Sequence, residues 1–268
     1  MFRRFASIAL AVVVSSSLAC RSAAPPPHVG PPPPPPGATA QAPMGAPAAP
    51  ADAPPTSAAS PAGDHLEIRW VRQSAEYEAA VRQAYLMAED QVERAAVGRA
   101  AGTWGVVLDA DETVISNLTY QIERAGRPHD EDAWTAWVKR REATALPGAV
   151  AFLKRVRALG GKIVIVTNRR EPVCDDTKAV FDARGLAYDL MLCRTGPSDK
   201  NPRFEAVQSG LLPSTLPPLT VVAFVGDNIN DFPKLSQAIR GAGDEGFAEF
   251  GSRFFVIPNP MYGSWEGR

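Results

Sequence analysis

The sequence predicts an α/β fold with a doubly wound parallel sheet, and three observations carry that prediction. Short, continuously apolar runs recur at residues 104–109, 162–167, 190–193, 220–226 and 253–257, as expected of strands buried on both faces. Helical patterns separate these runs, and strand–helix alternation is what a parallel sheet with helices on its faces requires. Charged and polar clusters close several of the runs at the carboxyl end, where such sheets bind ligands.

Residues 1–20 read as an export signal. Arg3 and Arg4 precede an apolar stretch at residues 5–14, too short for a hydrocarbon core that takes roughly 20 apolar residues to span. The segment closes on Ser17-Leu18-Ala19-Cys20, a small residue and then cysteine, which resembles a bacterial lipoprotein signal with lipidation at Cys20. Ordinary secretory cleavage after Ala19 is the alternative. The expected location is the cell envelope, in the outer membrane facing periplasm or surface. Residues 21–63 hold 15 of the 26 prolines and only two charged residues, Arg21 and Asp52. They cannot bury enough apolar surface to offset ordering entropy, and proline runs favour extended polyproline II. A tether holding a folded domain off a membrane is expected, with a docking site for a proline-binding module as the alternative.

Residues 64–268 are expected to form one domain, long enough to bury a core without disulfides or metals. They carry 25 basic and 28 acidic side chains, which gives no electrostatic case for a nucleic-acid polymer. Three cysteines in the whole chain exclude a disulfide-stapled miniprotein. Residues 66–96 are helical in pattern, with Ser74 as a cap or break. Further helices are expected at residues 147–159, about 172–184 and about 202–208.

The first strand ends Asp109-Ala110-Asp111-Glu112-Thr113, and alternation along an extended chain puts Asp109 and Asp111 on one side. The second ends Thr167-Asn168-Arg169-Arg170, and the fourth Gly226-Asp227-Asn228-Ile229-Asn230-Asp231. Lys200 lies between them, just before a helix that holds Arg203. A lone D-x-D-x-T is weakly specific, but four polar clusters in this order at strand ends are far more so.

Together they resemble the four motifs of the haloacid dehalogenase (HAD) superfamily of phosphotransferases. Residues 69–77 (RWVRQSAEY), 109–117 (DADETVISN) and 258–267 (PNPMYGSWEG) narrow the likeness: they resemble class C acid phosphatases, bacterial surface lipoproteins that hydrolyse nucleoside monophosphates and other phosphomonoesters. The resemblance implies a HAD-like, Rossmann-like core with a small helical cap and N-terminal helices. It implies that Asp109 is a nucleophile forming an aspartyl-phosphate, and that Mg²⁺ is held by Asp109, the Asp111 carbonyl and Asp227. The Asp111 side chain is then the general acid and base, while Thr167, Asn168 and Lys200 contact phosphoryl oxygens. Asp231 and Asn228 support these groups from behind. The dehalogenase branch lacks an aspartate at the position of Asp111, because a halide needs no proton.

Residues 117–146, about 30, are what remains for a cap, so an open site is expected. Tyr120, Trp134, Trp137, Tyr262 and Trp265 could rim it. The resemblance favours Trp134 and Tyr262 as a clamp stacking on a nucleobase; core packing of all five is the alternative. The expected substrates are small-molecule phosphomonoesters, nucleoside 5′-monophosphates and nicotinamide mononucleotide among them. Sugar phosphates, phosphoproteins and a non-catalytic binding role are the alternatives. Dimers are common in the family, which makes a homodimer an expectation. The pairing of Cys174 with Cys193 stays open, and the three scattered histidines make no zinc site. Arg124, Arg127, Arg169, Arg170 and the basic run at 139–141 add positive potential near a phosphate or, for most of them, form solvated faces.

Overall fold

The computed structural model describes residues 65–124 and 126–267; the export signal, Cys20 and the proline tether lie outside the described residues. The described chain opens with α1 (Leu66–Gln73) and α2 (Ala75–Ala96), then β1 (Trp104–Leu108) and β2 (Ile115–Ser116). Next come α3 (Leu118–Arg124), α4 (Glu131–Arg140), β3 (Thr144–Ala145), α5 (Ala149–Ala158) and β4 (Lys162–Arg170). It continues through α6 (Cys174–Ala183), β5 (Leu190–Arg194), α7 (Asn201–Ser209), β6 (Thr220–Gly226) and β7 (Phe254–Val256). Ser74 separates the first two helices: its side chain accepts the Tyr77 N–H at 3.0 Å, which satisfies one of the donors a helix start leaves open.

Five strands form the central sheet in the order β5-β4-β1-β6-β7, every pairing parallel. The chain starts at the middle strand, fills one side with β4 and β5, then crosses back to fill the other with β6 and β7, which is double winding. Alternation sorts the strand side chains to two cores. Val106, Leu108, Ile163 and Ile165 pack with α2, α5 and α6 residues such as Val81, Phe152 and Phe181. Val107, Val164 and Val166 face the opposite side, with Phe204 of α7 and the ring cluster of Phe224, Phe232 and Phe254.

The cap is small and helical. It comprises α3 and α4, and the antiparallel pairing of β2 with β3 closes its two ends. Asp130 caps α4 by accepting the Ala133 N–H at 2.8 Å. Strands as short as β2 and β3 leave no periodicity, and the sequence pattern did not show them. Cys174 and Cys193 form a disulfide with Cα atoms 6.0 Å apart, tying the start of α6 to β5. Among the described residues, no helix is long and apolar enough to cross a membrane.

Candidate active site

A cleft of about 950 Å³ opens at the carboxyl ends of β1, β4 and β6, where the strand order turns back around the middle strand. β1 delivers Asp109, whose N–H is still bonded to the Val225 carbonyl at 3.0 Å, so the backbone of this residue is fixed by the sheet. Beyond it the chain turns sharply. Glu112 takes φ +48°, a left-handed conformation uncommon for a residue with a Cβ. Its carboxylate holds the turn by accepting from the Asn117 N–H at 2.6 Å, from Asn117 Nδ2 at 3.1 Å and from the Tyr262 hydroxyl. Burial, followed by repulsion from Asp111, pushes the Glu112 carboxyl up to about 7.

Lys200, at the start of α7, reaches the floor of the cleft. Its Nζ donates to Asp109 Oδ1 at 2.5 Å and to Asp231 Oδ1 at 2.6 Å. Burial opposes its charge, but these two carboxylates hold the ammonium protonated well above the usual lysine range. Asp231 comes from the turn after β6, where its Oδ2 accepts the Asn228 N–H at 2.9 Å and Asn228 Oδ1 accepts the Asn230 N–H at 3.1 Å. Gly226 is required there, since a Cβ would run into the Asp231 side chain. Asp227 is clamped by Thr113 Oγ1 at 3.2 Å and Asn259 Nδ2 at 2.8 Å.

Asp109, Asp227 and Asp231 each place a carboxylate oxygen within 4.8 Å of the others. Three carboxylates against one ammonium leave an excess of negative charge, and burial pushes the Asp109 and Asp227 carboxyls upward, away from ionisation. A divalent cation fits this set: it brings the missing charge and takes hard oxygen ligands. The Asp111 carboxylate stands outside the cluster, which leaves its main-chain carbonyl as the group the sequence expects at a metal.

The Asp111 side chain is held instead by Arg169, which donates from Nε at 2.9 and 3.2 Å and lies 2.8 Å away through Nη2. Asn117 Nδ2 adds a bond at 2.8 Å. Arg169 is 2% exposed, with further bonds to Asn117 Oδ1 at 2.9 Å and Thr177 Oγ1 at 3.3 Å. Of the two readings of Arg169, positive potential beside the site and a solvated face, its burial and its place on the cleft favour the first. β4 runs three residues past the apolar run, and alternation turns Arg169 inward on the same side as Thr167. Asn117 is fully used, since its Oδ1 also accepts Trp137 Nε1 at 2.8 Å.

Thr167 is wholly buried, and its Oγ1 accepts the Arg169 N–H at 3.1 Å. Asn168 lines the cleft, with its Oδ1 taken by Arg203 Nη2 at 2.6 Å while Arg203 Nη1 holds the Thr167 carbonyl at 2.6 Å. The Asn168 amide is thus turned with its NH₂ free of Arg203. Trp134 and Tyr262 both line the cleft, as does Asn228. Trp134 stacks under the Arg169 guanidinium at 5.4 Å and meets Tyr120 edge-on at 5.1 Å. Trp137 packs in the core at 2% exposure, while Trp265 is exposed at the rim. Glu112, Asn117 and Asn259 were not foreseen: beside the short-range bonds of Asn117 to Asp111 and Glu112, they use partners distant in sequence, such as Tyr262, 150 residues from Glu112.

The family profile described as HAD superfamily, subfamily IIIB (acid phosphatase) matches residues 38–265. A class C acid phosphatase structure from Bacillus anthracis superposes with a TM-score of 0.67 at 29% identity, covering 75% of this chain and 86% of that one. A second structure of the enzyme, with tungstate bound, gives the same TM-score at 28% identity and the same coverage. The stem 31 kDa glycoprotein of Glycine max is 28% identical over 160 residues, which is 58% of this chain. The chain spans 58% of that relative's length.

Proposed function

The chain belongs to the acid phosphatases of HAD subfamily IIIB, and from that premise we propose that it is an Mg²⁺-dependent phosphomonoesterase working through an aspartyl-phosphate. One observation carries the reading. Two carboxylates separated by a single residue are held in opposite ways, Asp109 in the floor against Lys200 and Asp111 aside against Arg169. Different environments for paired carboxylates are how one site obtains a nucleophile and a separate acid.

Asp109 attacks phosphorus in line, the P–O bond to the leaving group breaks, and the phosphoryl group is carried on the Asp109 oxygen. Asp111 gives the leaving oxygen its proton, then takes one from the water that releases phosphate. Unaided, a carboxylate and a phosphate repel by about 4 kcal/mol per pair of unit charges at 4 Å and an effective dielectric near 20. Asp109, Asp227 and the Asp111 carbonyl would hold an Mg²⁺ ion, which would supply the positive charge that offsets this repulsion. Lys200 adds a fixed positive charge beside the phosphoryl oxygens and aims Asp109, while the NH₂ of Asn168, positioned by Arg203, donates to one of them. Asp231 and Asn228 keep Lys200 and the β6 turn in place. Thr167, with its Oγ1 taken by a backbone donor, has a hydroxyl proton left to give. The tungstate carried by the Bacillus anthracis relative, an oxyanion like phosphate, supports an oxyanion site in this family.

The substrates we propose are nucleoside 5′-monophosphates and nicotinamide mononucleotide, gripped by Trp134 and Tyr262, which both line the cleft. Lipidation at Cys20, a proline tether, residence at the cell envelope and a homodimer complete the reading. A phosphate-release screen across nucleoside monophosphates, nicotinamide mononucleotide and glycerol phosphate, with and without EDTA, tests it. Nucleotide-biased, EDTA-sensitive release is expected. Release from no phosphomonoester with Mg²⁺ present would refute the activity, and EDTA-resistant release would refute the metal.

A further inference from the structure

The cleft continues past the carboxylates to a second wall that phosphoryl transfer does not use. Beside Trp134 it is lined by Tyr120 and Arg124 of α3, Arg127 and His129 of the following loop, and His65 at the start of α1. A row of contacts leads to it from the proton donor: Arg169 holds Asp111, Trp134 lies 5.4 Å from Arg169, and Tyr120 meets Trp134 at 5.1 Å. Arg124 follows one helical turn later. The wall therefore lies on the leaving-group side of the bond to be broken.

Two features of this wall point to a ligand. The first is charge. Arg124 Nη2 donates to the Pro128 carbonyl at 2.6 Å, and Arg127 donates to the carbonyls of Arg124 at 2.9 Å and Glu123 at 2.5 Å. Main-chain oxygens fix the positions of both guanidinium groups without cancelling their charges. Of the acids nearby, Glu123 is paired with Arg140 at 2.6 Å, Glu131 lies 3.1 Å from Arg170 and 3.4 Å from His129, and Glu67 lies 3.2 Å from His65, so their partners are groups other than Arg124 and Arg127. Asp130, on the same loop, caps α4, and the Ala133 N–H together with the nearby Arg124 charge holds its carboxyl below the usual range, so it offsets part of one guanidinium charge and leaves the other.

The second is a pair of unmet donors. Tyr120 is 6% exposed and lines the cleft, yet among the described residues neither its hydroxyl nor the buried Nε–H of Arg124 has a hydrogen-bond partner. Buried donors without acceptors cost free energy that a ligand bearing acceptors can offset. A nucleobase stacked on Trp134 answers neither feature. A group with several anionic oxygens answers both, because guanidinium binds phosphate through paired, charge-assisted hydrogen bonds.

We propose that this wall is an anion subsite, and that the preferred substrates are phosphomonoesters whose leaving group carries a second phosphate, as in a nucleoside 3′,5′-bisphosphate. Arg124 and Arg127 supply the charge and Tyr120 the neutral donor, next to the Trp134 face that carries the base. The cleft volume of about 950 Å³ is ample for such a molecule. The proposal rests on the phosphomonoesterase reading and adds the substrate class.

The test compares adenosine 5′-monophosphate with adenosine 3′,5′-bisphosphate in the wild type, Tyr120→Phe and Arg124→Gln, using p-nitrophenyl phosphate as a reference for the reaction itself. At low ionic strength the wild type should show a KM for the bisphosphate about tenfold below that for the monophosphate. Each variant should bring that ratio to within about twofold of unity. A wild-type ratio of one or more, or a preference that survives both substitutions, overturns the subsite. Tyr120→Phe removes a single oxygen and keeps the comparison open should Arg124→Gln fail to fold. A wild type inert on all three esters refutes the phosphomonoesterase reading instead, and the affinities of the two nucleotides by calorimetry then decide the subsite alone.

Discussion

On the floor of the cleft, Lys200 lies 2.5 Å from Asp109 and 2.6 Å from Asp231, and none of the three is more than 9% exposed. At the rim, Trp134 and Tyr262 come from a two-helix insertion and a C-terminal tail and touch the sheet through one contact each, Trp134 with Arg169 and the Tyr262 hydroxyl with Glu112. The floor is cross-linked by charge and built on parallel strands, so its groups cannot move independently. The rim is built from short elements whose side chains can be exchanged with less effect on the core. On the proposed mechanism the reaction belongs to the floor and the choice of leaving group to the rim. Substitutions at the two places should then differ in kind, kcat falling in one and KM rising in the other.

The largest effect is expected at Asp109. Asp109→Asn should lower kcat by at least about 10⁴-fold on every phosphomonoester, because the nucleophile is lost whatever the leaving group. Activity within tenfold of wild type would break the division at its floor. Next comes Arg169, which joins floor to rim by holding Asp111 and stacking on Trp134. Arg169→Lys, which keeps the charge and loses the fork, should lower kcat about 10²-fold on alkyl phosphates, which need the proton. It should matter far less on p-nitrophenyl phosphate, whose leaving group is stable as an anion; equal losses on both esters would show Arg169 to be structural only. At the rim, Trp134→Ala should raise KM for nucleoside monophosphates roughly tenfold, in line with about 1–3 kcal/mol for a stacked base. Little change is expected for glycerol phosphate, and matching rises for the two substrates would remove the clamp.

A separate effect, on stability and not on turnover, concerns pH. Glu112 is buried, and its carboxyl is raised from 4.5 to about 7. Between those values the folded protein binds more protons at this site than the unfolded chain, so stability falls as pH rises through the window. One group's share is about 3 kcal/mol, present in full below pH 4.5 and lost above 7. Denaturant midpoints of the metal-free protein should therefore decline over that range, and Glu112→Gln should flatten part of the decline. An identical slope in the variant would place the titration elsewhere.

The difference between floor and rim also marks what could be read from the sequence. Asp109, Asp111, Lys200 and Asp227 were legible because strand ends are visible as apolar runs that stop at a polar residue, and the carboxyl end of a parallel sheet is where ligands bind. The two readings of Arg169 stayed open because its strand outlasts the apolar run; extending the two-residue alternation from Thr167 turns it inward. Glu112 lies inside the most conspicuous motif of the chain. Its bond from Tyr262 nevertheless spans 150 residues, and no local pattern connects residues so distant. The cap helices and their two-residue strands were legible only as a length of chain, since a short insertion carries too few turns for periodicity. Likewise the disulfide between Cys174 and Cys193 needed the sheet to bring the start of α6 beside β5.

The central claim is that Asp109 takes the phosphoryl group while Asp111 moves the protons. Asp111→Asn should still accept phosphate from p-nitrophenyl phosphate but hydrolyse the acyl phosphate slowly, for want of a base. Rapid quenching in acid followed by peptide mass spectrometry should then find phosphate on Asp109 of this variant, and none on Asp109→Asn treated in the same way. Turnover without phosphate on Asp109, or phosphate retained at another residue, would contradict the account.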